Sequence, residues 1–269
     1  MPTPLLTSVD GEITETPQAR IPAADDGLLR GDGVFEVIRL YHGRPFALGE
    51  HLDRMERSAA AIELPLDRAA LEVEIAALLG EFGDHEGQLR LIATRGGRRL
   101  AFTEELPHYA DIESITLASV AYSPTSILNG VKSLSYAANM QASRLAAARG
   151  ADEAILVRPD GVVLEAPTST IFWVSAEGRL RTPWLDVGIL ASITRDRLIR
   201  ELDVEEGAWP LEELLGASEA FLASTVREVQ AISAIDETEL EECPGKRTRE
   251  AAEAFAAILD RELAASASS

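Results

Sequence analysis

Strand-like and helix-like segments alternate along this chain, and their order limits the fold more than any other feature of the sequence. Residues 34–41 (VFEVIRLY) and 88–94 (QLRLIAT) have the β-branched and alternating content of strands. Between them, residues 50–62 and 68–82 carry apolar side chains at helical spacing. This order excludes an all-helical or all-β protein and predicts an α/β (α+β) fold.

The second half of the chain shows the same mixture, so its 269 residues predict two mixed domains. Residues 114–120 (SITLASV) predict a strand, and the polar stretch AYSPTS follows it. We place an interdomain linker at 119–126, between a small N-terminal domain of residues 1–118 and a larger C-terminal domain of residues 127–269. The other predicted elements are helices over 137–149, 194–202 and 249–265, hairpins that pair 153–158 with 162–166 and 170–174 with 179–183, and a strand over 219–223.

The charge balance limits the partners of this chain. Its 25 basic and 45 acidic residues give a net charge of −20 at pH 7. Nucleic acids and anionic membranes bind basic surfaces, so neither is an expected partner. The sequence has no run of about 18 apolar residues that would predict a membrane span, and its start lacks the basic and apolar regions of a signal peptide. We therefore expect a cytoplasmic protein that acts on small molecules.

Disulfide and metal chemistry are not expected either. Cys243 is the single cysteine, so the chain can form no internal disulfide and no thiolate cluster. The four histidines lie in separate segments without the spacing of a zinc motif. The sequence therefore predicts no metal site.

Lysine is rare in this chain, which makes each lysine informative. The basic residues comprise 23 arginines and two lysines, Lys132 and Lys246. An arginine guanidinium stays protonated, whereas a lysine amine can lose its proton and form a Schiff base. Lys246 lies in the polar run ECPGKRTRE, which is typical of a surface. Lys132 lies among apolar residues in ILNGVKSLSYAANM and is the candidate for covalent chemistry.

Five segments occur in one order over roughly residues 25–235: GLLRGDGVFEVIRLYHGRPFALGEHLDRM, VKSLSYAANM, GVVLEAPTSTIFWV, LASITRDRLI and EAFLASTVREVQAI. Together they resemble the class IV aminotransferases, the fold type IV enzymes that use pyridoxal 5′-phosphate. This family includes branched-chain, D-amino-acid and (R)-amine transaminases and 4-amino-4-deoxychorismate lyases. The resemblance implies the two-domain fold type IV architecture, with the cofactor in the cleft between the domains.

The resemblance assigns the two central residues of the site. Lys132 matches the lysine that forms a Schiff base with the cofactor and then moves the proton at the substrate Cα. Glu165 matches the glutamate that faces the pyridine nitrogen. A carboxylate there favours the charged pyridinium, which makes the ring an electron sink.

The cofactor phosphate needs a local site of positive charge in so acidic a protein. By resemblance, Arg54 binds the phosphate through its planar guanidinium. Ile193 and Thr194 lie where a helix should begin, and their backbone N–H groups and the threonine hydroxyl suit an anion. Ser224 and Thr225, after a predicted strand, resemble the last phosphate contact.

Tyr136, four residues after Lys132, resembles a tyrosine that lies near the phenolic oxygen of the cofactor in some relatives. The segment here reads KSLSY, whereas branched-chain enzymes carry a glycine pair and Asn before the tyrosine. Packing in the core is therefore the alternative role of Tyr136.

Recognition of the substrate carboxylate divides the family. The well-known D-amino-acid enzymes have a tyrosine after GDGV and an Arg-x-His pair after TRG. This chain has Phe35 in the first place and TRGGRRLAF in the second, so that clamp is absent. Arg30 and Arg90 instead resemble the arginine pair that binds the carboxylate in a less common D-amino-acid subgroup. Solvated arginines paired with acidic residues are the alternative.

These features favour a transaminase that moves an amino group between an amino acid and a 2-keto acid, with D-amino acids as the favoured donors and (R)-amines as further candidates. The alternative is 4-amino-4-deoxychorismate lyase, which RGDGVFE and LEAPTST also suit. Branched-chain transamination comes third. A ligand-binding protein without turnover is disfavoured because Lys132 and Glu165 are both present. The resemblance further implies a homodimer whose sites are completed by the partner, so Arg30 could act in trans.

Overall fold

The computed structural model describes residues 5–107, 114–124 and 126–266, with side chains up to residue 264. These residues form two compact units. Unit 1 contains residues 5–107, 131–136 and 262–266, and unit 2 contains the other described residues up to 261.

Unit 1 combines a six-stranded sheet with helices. Its strands are β1 (Leu6–Val9), β2 (Glu12–Glu15), β3 (Gly33–Tyr41), β4 (Arg44–Pro45), β5 (Gly87–Thr94) and β6 (Arg99–Glu104). Its helices are α1 (Asp26–Arg30), α2 (Leu48–Ala61) and α3 (Arg68–Phe82). The strand order is β2-β1-β6-β5-β3-β4, and every neighbouring pair is antiparallel.

One face of this sheet packs against helices α2 and α3. The alternate residues of β3 that start at Val34 are buried there, together with the alternate residues of β5 that start at Leu89. The apolar side chains of α2 and α3 complete this core, and Asp67 caps α3 by accepting the N–H of Ala70 at 3.0 Å. Phe35 and Arg90 belong to the opposite face of the sheet because they alternate with the core residues.

Unit 2 is built on an eight-stranded mixed sheet. Its strands are β7 (Ser114–Ala121), β8 (Glu153–Val157), β9 (Thr170–Val174), β10 (Leu180–Pro183), β11 (Val204–Gly207), β12 (Glu219–Ser224), β13 (Glu228–Ile235) and β14 (Thr238–Glu239). Its helices are α4 (Ala137–Ala148), α5 (Ile193–Glu201), α6 (Leu211–Leu215) and α7 (Lys246–Ser266), of which α7 ends in unit 1. The strand order is β11-β10-β9-β12-β13-β7-β8, with β14 on β13.

The predicted α/β (α+β) class is confirmed, and the long elements lie close to their predicted positions. One hairpin differs from the prediction. Residues 162–166 do not form a strand, although Val163 bridges Val157. The reason is that the segment divides its hydrogen bonds, since the N–H of Leu164 donates to Leu156 whereas the N–H of Val163 donates to Trp209.

The boundaries between the two units do not coincide with the linker that we expected at 119–126. Strand β7 pairs with β8 and β13, so it belongs to unit 2 although most of it was placed in the N-terminal domain. Residues 131–136 belong to unit 1, although they were placed in the C-terminal domain. Within the described residues, no helix is both long and apolar enough to cross a membrane.

Candidate active site

The lysine segment, Val131–Tyr136, is bound to the N-terminal end of β3. The N–H of Phe35 donates to the carbonyl of Lys132 at 3.0 Å, and the N–H of Leu134 donates to the carbonyl of Gly33 at 2.9 Å. Ser133 forms an antiparallel bridge with Val34 between these two bonds. The lysine segment therefore extends the unit 1 sheet beside the GDG motif, although the segment and the motif are distant in sequence.

The GDG motif has glycines because other backbone lies so close to it. Gly31 ends α1 at a φ of +67°, a conformation that favours glycine. A Cβ on Gly33 would lie 2.4 Å from the carbonyl oxygen of Ala93 and 2.6 Å from the side chain of Leu134. A side chain at Gly33 would therefore collide with the backbone of β5 and crowd the Leu134 side chain of the lysine segment.

The side chain of Lys132 lies on an aromatic pair. Its Nζ atom is 4.4 Å from the ring centroid of Phe35, close enough for a cation–π interaction. The ring of Tyr136 meets Phe35 edge to face, with centroids 5.3 Å apart. The structure therefore brings Lys132, Phe35 and Tyr136 together within unit 1, and Phe35 packs against both other side chains.

Helix α2 carries a stripe of buried polar residues toward β3 and the lysine segment. Ser58 accepts the backbone N–H of Lys132 at 3.1 Å. Arg54 donates from Nε and Nη2 to the two carboxylate oxygens of Glu36 at 2.7 and 2.6 Å, and Nδ1 of His51 lies 2.8 Å from the same carboxylate. Arg54 was predicted from its motif, whereas its buried partner Glu36 was not, because in the sequence Glu36 is one residue of a predicted strand.

The electrostatics of this group follow from its burial. Burial alone would raise the pKa of Glu36, but the charge and hydrogen bonds of Arg54, with the contribution of His51, hold it at about 2. Burial lowers the pKa of His51 and outweighs the opposing effect of Glu36, while the positive charges of Arg54 and Lys132 lower it further. At neutral pH Glu36 is therefore an anion, and His51 is neutral with its proton on Nδ1.

This pairing limits how Arg54 could bind a phosphate. Nε and Nη2 of the guanidinium each donate to Glu36, so a phosphate cannot take this same pair of donors. The arginine keeps its charge and its orientation is fixed, which are the two properties that an anion site needs.

The candidates of unit 2 form three groups. In the first, Oε1 of Glu165 accepts the backbone N–H of Leu190 at 3.1 Å, and the backbone carbonyl of Glu165 accepts the N–H of Leu156 at 2.9 Å. Burial, and then the charge of Glu165, raise the pKa of the Tyr122 phenol. Tyr122 carries no motif, and the sequence analysis missed it.

The second group lies at the start of α5. Ser192 caps this helix by accepting the N–H of Arg195 at 3.2 Å, and helix geometry leaves the N–H groups of Ile193 and Thr194 without an intrahelical acceptor. Thr194 is fully buried, and among the described residues its Oγ1 atom has no hydrogen-bond partner. A buried hydroxyl of this kind at a helix N-terminus fits an anion such as a phosphate.

Ser224 and Thr225 lie at the end of β12. The hydroxyl of Ser224 accepts the N–H of Arg227 at 3.2 Å, so it shapes the turn that follows the strand. Thr225 is buried within that turn. Their predicted contact with a phosphate stays a prediction.

The two candidate carboxylate-binding arginines have different surroundings. The side chain of Arg30 is 73% exposed and pairs with Asp26 at 2.7 Å. Arg90 is half-buried and donates to Glu104 through Nε at 3.0 Å and Nη2 at 2.9 Å. Both arginines therefore have an acidic partner, and the predicted clamp stays a prediction.

Replacing Gly33 by alanine tests the close approach of the lysine segment. We expect Gly33→Ala to lower the free energy of unfolding by about 2 kcal/mol, because the new methyl group overlaps the Ala93 carbonyl and Leu134. Gly80→Ala is the matched control, since Gly80 is an exposed residue of α3 with open space at the Cβ position. Urea unfolding should show the control to be neutral or stabilised, and equal values for both variants would contradict the account.

The buried carboxylate should make stability depend on pH. A lowered pKa means that Glu36 stabilises the fold above its ordinary value of 4.5 and loses this effect as the pH falls toward 2. Glu36→Gln should cost about 3 kcal/mol in unfolding free energy at pH 7. The difference in unfolding free energy between Glu36→Gln and the original protein should be about 1 kcal/mol smaller at pH 3.5 than at pH 7.

Urea unfolding at the two pH values measures this difference. Glu253→Gln, an exposed position of α7, is the control and should show no such change. A difference between Glu36→Gln and the original protein that stays constant with pH would contradict an ionised Glu36.

Comparisons with known proteins identify the family. A sequence model of the family described as amino-transferase class IV matches residues 33–235, most of the chain. A protein of Methanocaldococcus jannaschii, provisionally named a branched-chain-amino-acid aminotransferase, is 33% identical over 85% of this chain and 87% of its own length. A D-alanine aminotransferase of Bacillus licheniformis is 32% identical over 84% of this chain and 87% of its own length. A bifunctional aminodeoxychorismate lyase / D-amino acid transaminase of Mycobacterium tuberculosis is 29% identical over 96% of this chain and 99% of its own length.

Solved structures agree with this match. A fold IV-transaminase from Curtobacterium pusillum superposes with a TM-score of 0.85 at 30% identity, covering 96% of this chain and 99% of that chain. A hypothetical aminotransferase from M. tuberculosis in its PLP-bound form gives a TM-score of 0.85 at 25% identity, covering 94% of this chain and 98% of that chain. The predicted fold type IV architecture is confirmed. The chain therefore belongs to the class IV aminotransferases, a family of enzymes whose cofactor is pyridoxal 5′-phosphate.

Proposed function

We propose that this aminotransferase moves amino groups between D-amino acids and 2-keto acids, with (R)-amines as further donors. The observation that carries the proposal is the position of Arg90 relative to Lys132. In the β3–β5 register, Phe35 faces Ile92 and Val37 faces Arg90. Phe35 and Arg90 are therefore diagonal neighbours on one face of the sheet, and the amine of Lys132 lies on the ring of Phe35.

This arrangement suits an amino acid better than a plain amine. A carboxylate bound by the Arg90 guanidinium would place the adjacent Cα on the same face of the sheet as the Lys132 amine. Glu104 holds the guanidinium through Nε and Nη2, so the substrate carboxylate would bind the remaining N–H groups or displace Glu104. An amine without a carboxylate cannot make this charge-assisted contact.

The preference for D-amino acids rests on resemblance. Arg30 and Arg90 resemble the arginine pair of a D-amino-acid subgroup, and two of the relatives described above carry D-amino-acid activities in their names. The exposed side chain of Arg30 is suited to completing the site of a second copy, as in the homodimers of this family. We include the homodimer in the proposal.

Each candidate residue has a role in this proposal. When bound, pyridoxal phosphate supplies an aldehyde that joins an amine covalently and a ring that withdraws electrons from the substrate Cα. Lys132 would hold the cofactor and move the proton at that carbon. Glu165 would accept a hydrogen bond from the ring nitrogen. The cofactor phosphate would be bound by groups of Arg54, Ile193, Thr194, Ser224 and Thr225. The phenolic oxygen of the cofactor would be bound by Tyr136.

The second candidate function is 4-amino-4-deoxychorismate lyase, which releases pyruvate and 4-aminobenzoate. The specific observation in its favour is the M. tuberculosis relative, whose name combines this activity with D-amino acid transamination. Branched-chain transamination comes third, because the lysine segment lacks the glycine pair of those enzymes.

A panel of amino donors tests the proposed reaction. The visible absorbance of the bound cofactor should bleach with D-alanine or D-glutamate and recover with pyruvate or 2-oxoglutarate, while L-leucine acts far more slowly. Lys132→Ala should show no bleaching at all, because the proton at Cα then has no acceptor. If neither D-amino acid changes the absorbance of the bound cofactor while aminodeoxychorismate yields pyruvate, the lyase activity is established instead.

The proposed role of Arg90 predicts a selective loss. Arg90→Gln should raise KM for D-amino acids about 30-fold, the value of a charge-assisted contact, and change KM for (R)-phenylethylamine little. Arg39→Gln is the control, because Arg39 lies on the same sheet face beside Glu86, further along β3. Steady-state kinetics with both donors decides, and an equal loss for the acid and the amine would remove Arg90 from the proposal.

A further inference from the structure

We propose that Tyr122 and Asn139 are positioning residues for Glu165, acting through a hydrogen-bond chain that fixes the turn after it. The chain runs from the Tyr122 hydroxyl through the Asn139 amide to the carbonyl of Pro167, all within unit 2. The inference rests on the proposed function, in which Glu165 faces the ring nitrogen of the cofactor.

The direction of the chain follows from the chemistry of its end. A carbonyl oxygen only accepts hydrogen bonds, so the Nδ2 group of Asn139, 3.3 Å from the Pro167 carbonyl, must donate to it. The Oδ1 atom of Asn139 then faces Tyr122 and accepts its hydroxyl proton at 3.1 Å. Each hydrogen bond in this chain favours the other, since both polarise the same amide.

Asn139 contributes a hydrogen-bond donor to the turn after Glu165. Ala166 and Ser169 close the turn, with the N–H of Ala166 donating to the carbonyl of Ser169 at 2.9 Å. The carbonyl of Pro167 lies at the tip of the turn, outside this pair, and Asn139 supplies a donor to it. Because Glu165 directly precedes Ala166, fixing the turn also fixes the backbone from which the Glu165 carboxylate extends.

The phenol of Tyr122 is the proton donor at the start of this hydrogen-bond chain. Burial and the charge of Glu165 raise the pKa of Tyr122, so the hydroxyl keeps its proton at neutral pH. That proton is donated to Oδ1 of Asn139. Oε1 of Glu165 instead accepts the backbone N–H of Leu190 at 3.1 Å.

The hydrogen-bond chain joins three parts of unit 2 that are distant in sequence. Tyr122 directly follows β7, and its N–H donates to the carbonyl of Val157 at 2.8 Å in the neighbouring strand β8. Asn139 lies in the first turn of α4, the helix that continues directly from the lysine segment. Loss of either polar group should therefore disturb Glu165 without removing any apolar contact of the core.

Cofactor affinity in a double-mutant design tests the inference. The apo form of the full chain is titrated with pyridoxal phosphate, and tryptophan fluorescence gives Kd. We expect Tyr122→Phe and Asn139→Ala each to raise Kd about three- to tenfold, the value of one or two neutral hydrogen bonds. In a Glu165→Gln background the same changes should alter Kd by less than about twofold, because their effect passes through the carboxylate.

Two controls make the result specific. Gln141→Ala, at an exposed position of α4, should leave Kd unchanged in both backgrounds. Thermal unfolding of each apo variant checks the fold, and Asn139→Ala serves alone if Tyr122→Phe does not fold.

The outcomes separate this inference from the proposed function. Equal increases in both backgrounds, or no increase in either, overturn the inference and leave the role of Glu165 intact. If Glu165→Gln itself leaves both Kd and the absorbance of the bound cofactor unchanged, the role proposed for Glu165 fails and the inference fails with it.

Discussion

The pairing of the lysine segment with the edge of β3 is the interaction on which the candidate site depends. Two backbone hydrogen bonds join residues about a hundred positions apart, between Phe35 and Lys132 and between Gly33 and Leu134. They place the only lysine with apolar neighbours in sequence on an aromatic ring, and the glycines of the GDG motif make the approach possible. Closing so long a loop costs conformational entropy, which the packing around the segment must offset.

Glu36, His51 and Arg54 form a buried cluster of charged and polar side chains between β3 and α2. Glu36 and His51 are fully buried and Arg54 almost so, and such burial is costly unless each polar group is paired. The bidentate contact of Arg54 with Glu36 meets that condition, and Ser58 on the same helix holds the backbone of Lys132. One helix therefore presents a fixed positive group and also supports the amine that the chemistry requires.

Local patterns predicted much of this protein. Helix α3 begins and ends where its apolar spacing indicates, and α5 begins at Ile193 and Thr194, where a helix was expected to begin. The scarcity of lysine directed attention to Lys132, and the family match then made it the candidate residue. The helix predictions share one cause, because each depends on residues that are neighbours in sequence.

The features that were missed depend on distant residues. Nothing near Lys132 in sequence indicates that its segment pairs with β3, and nothing near Glu36 shows that its carboxylate is buried against Arg54. Tyr122 was missed because its partners, Asn139 and Pro167, come from other elements. Strand β13 was also missed, since its half-buried pattern lacks the regular alternation that predicts a strand.

The proposed function depends on one covalent bond, in which Lys132 is the residue joined to the cofactor. Reduction with borohydride in the presence of pyridoxal phosphate, followed by peptide mapping, tests it directly because the chain has just two lysines. We predict a pyridoxyl adduct on the peptide that contains Lys132 and the same adduct in the Lys246→Arg variant. An adduct confined to Lys246, or none on either lysine, would contradict the account.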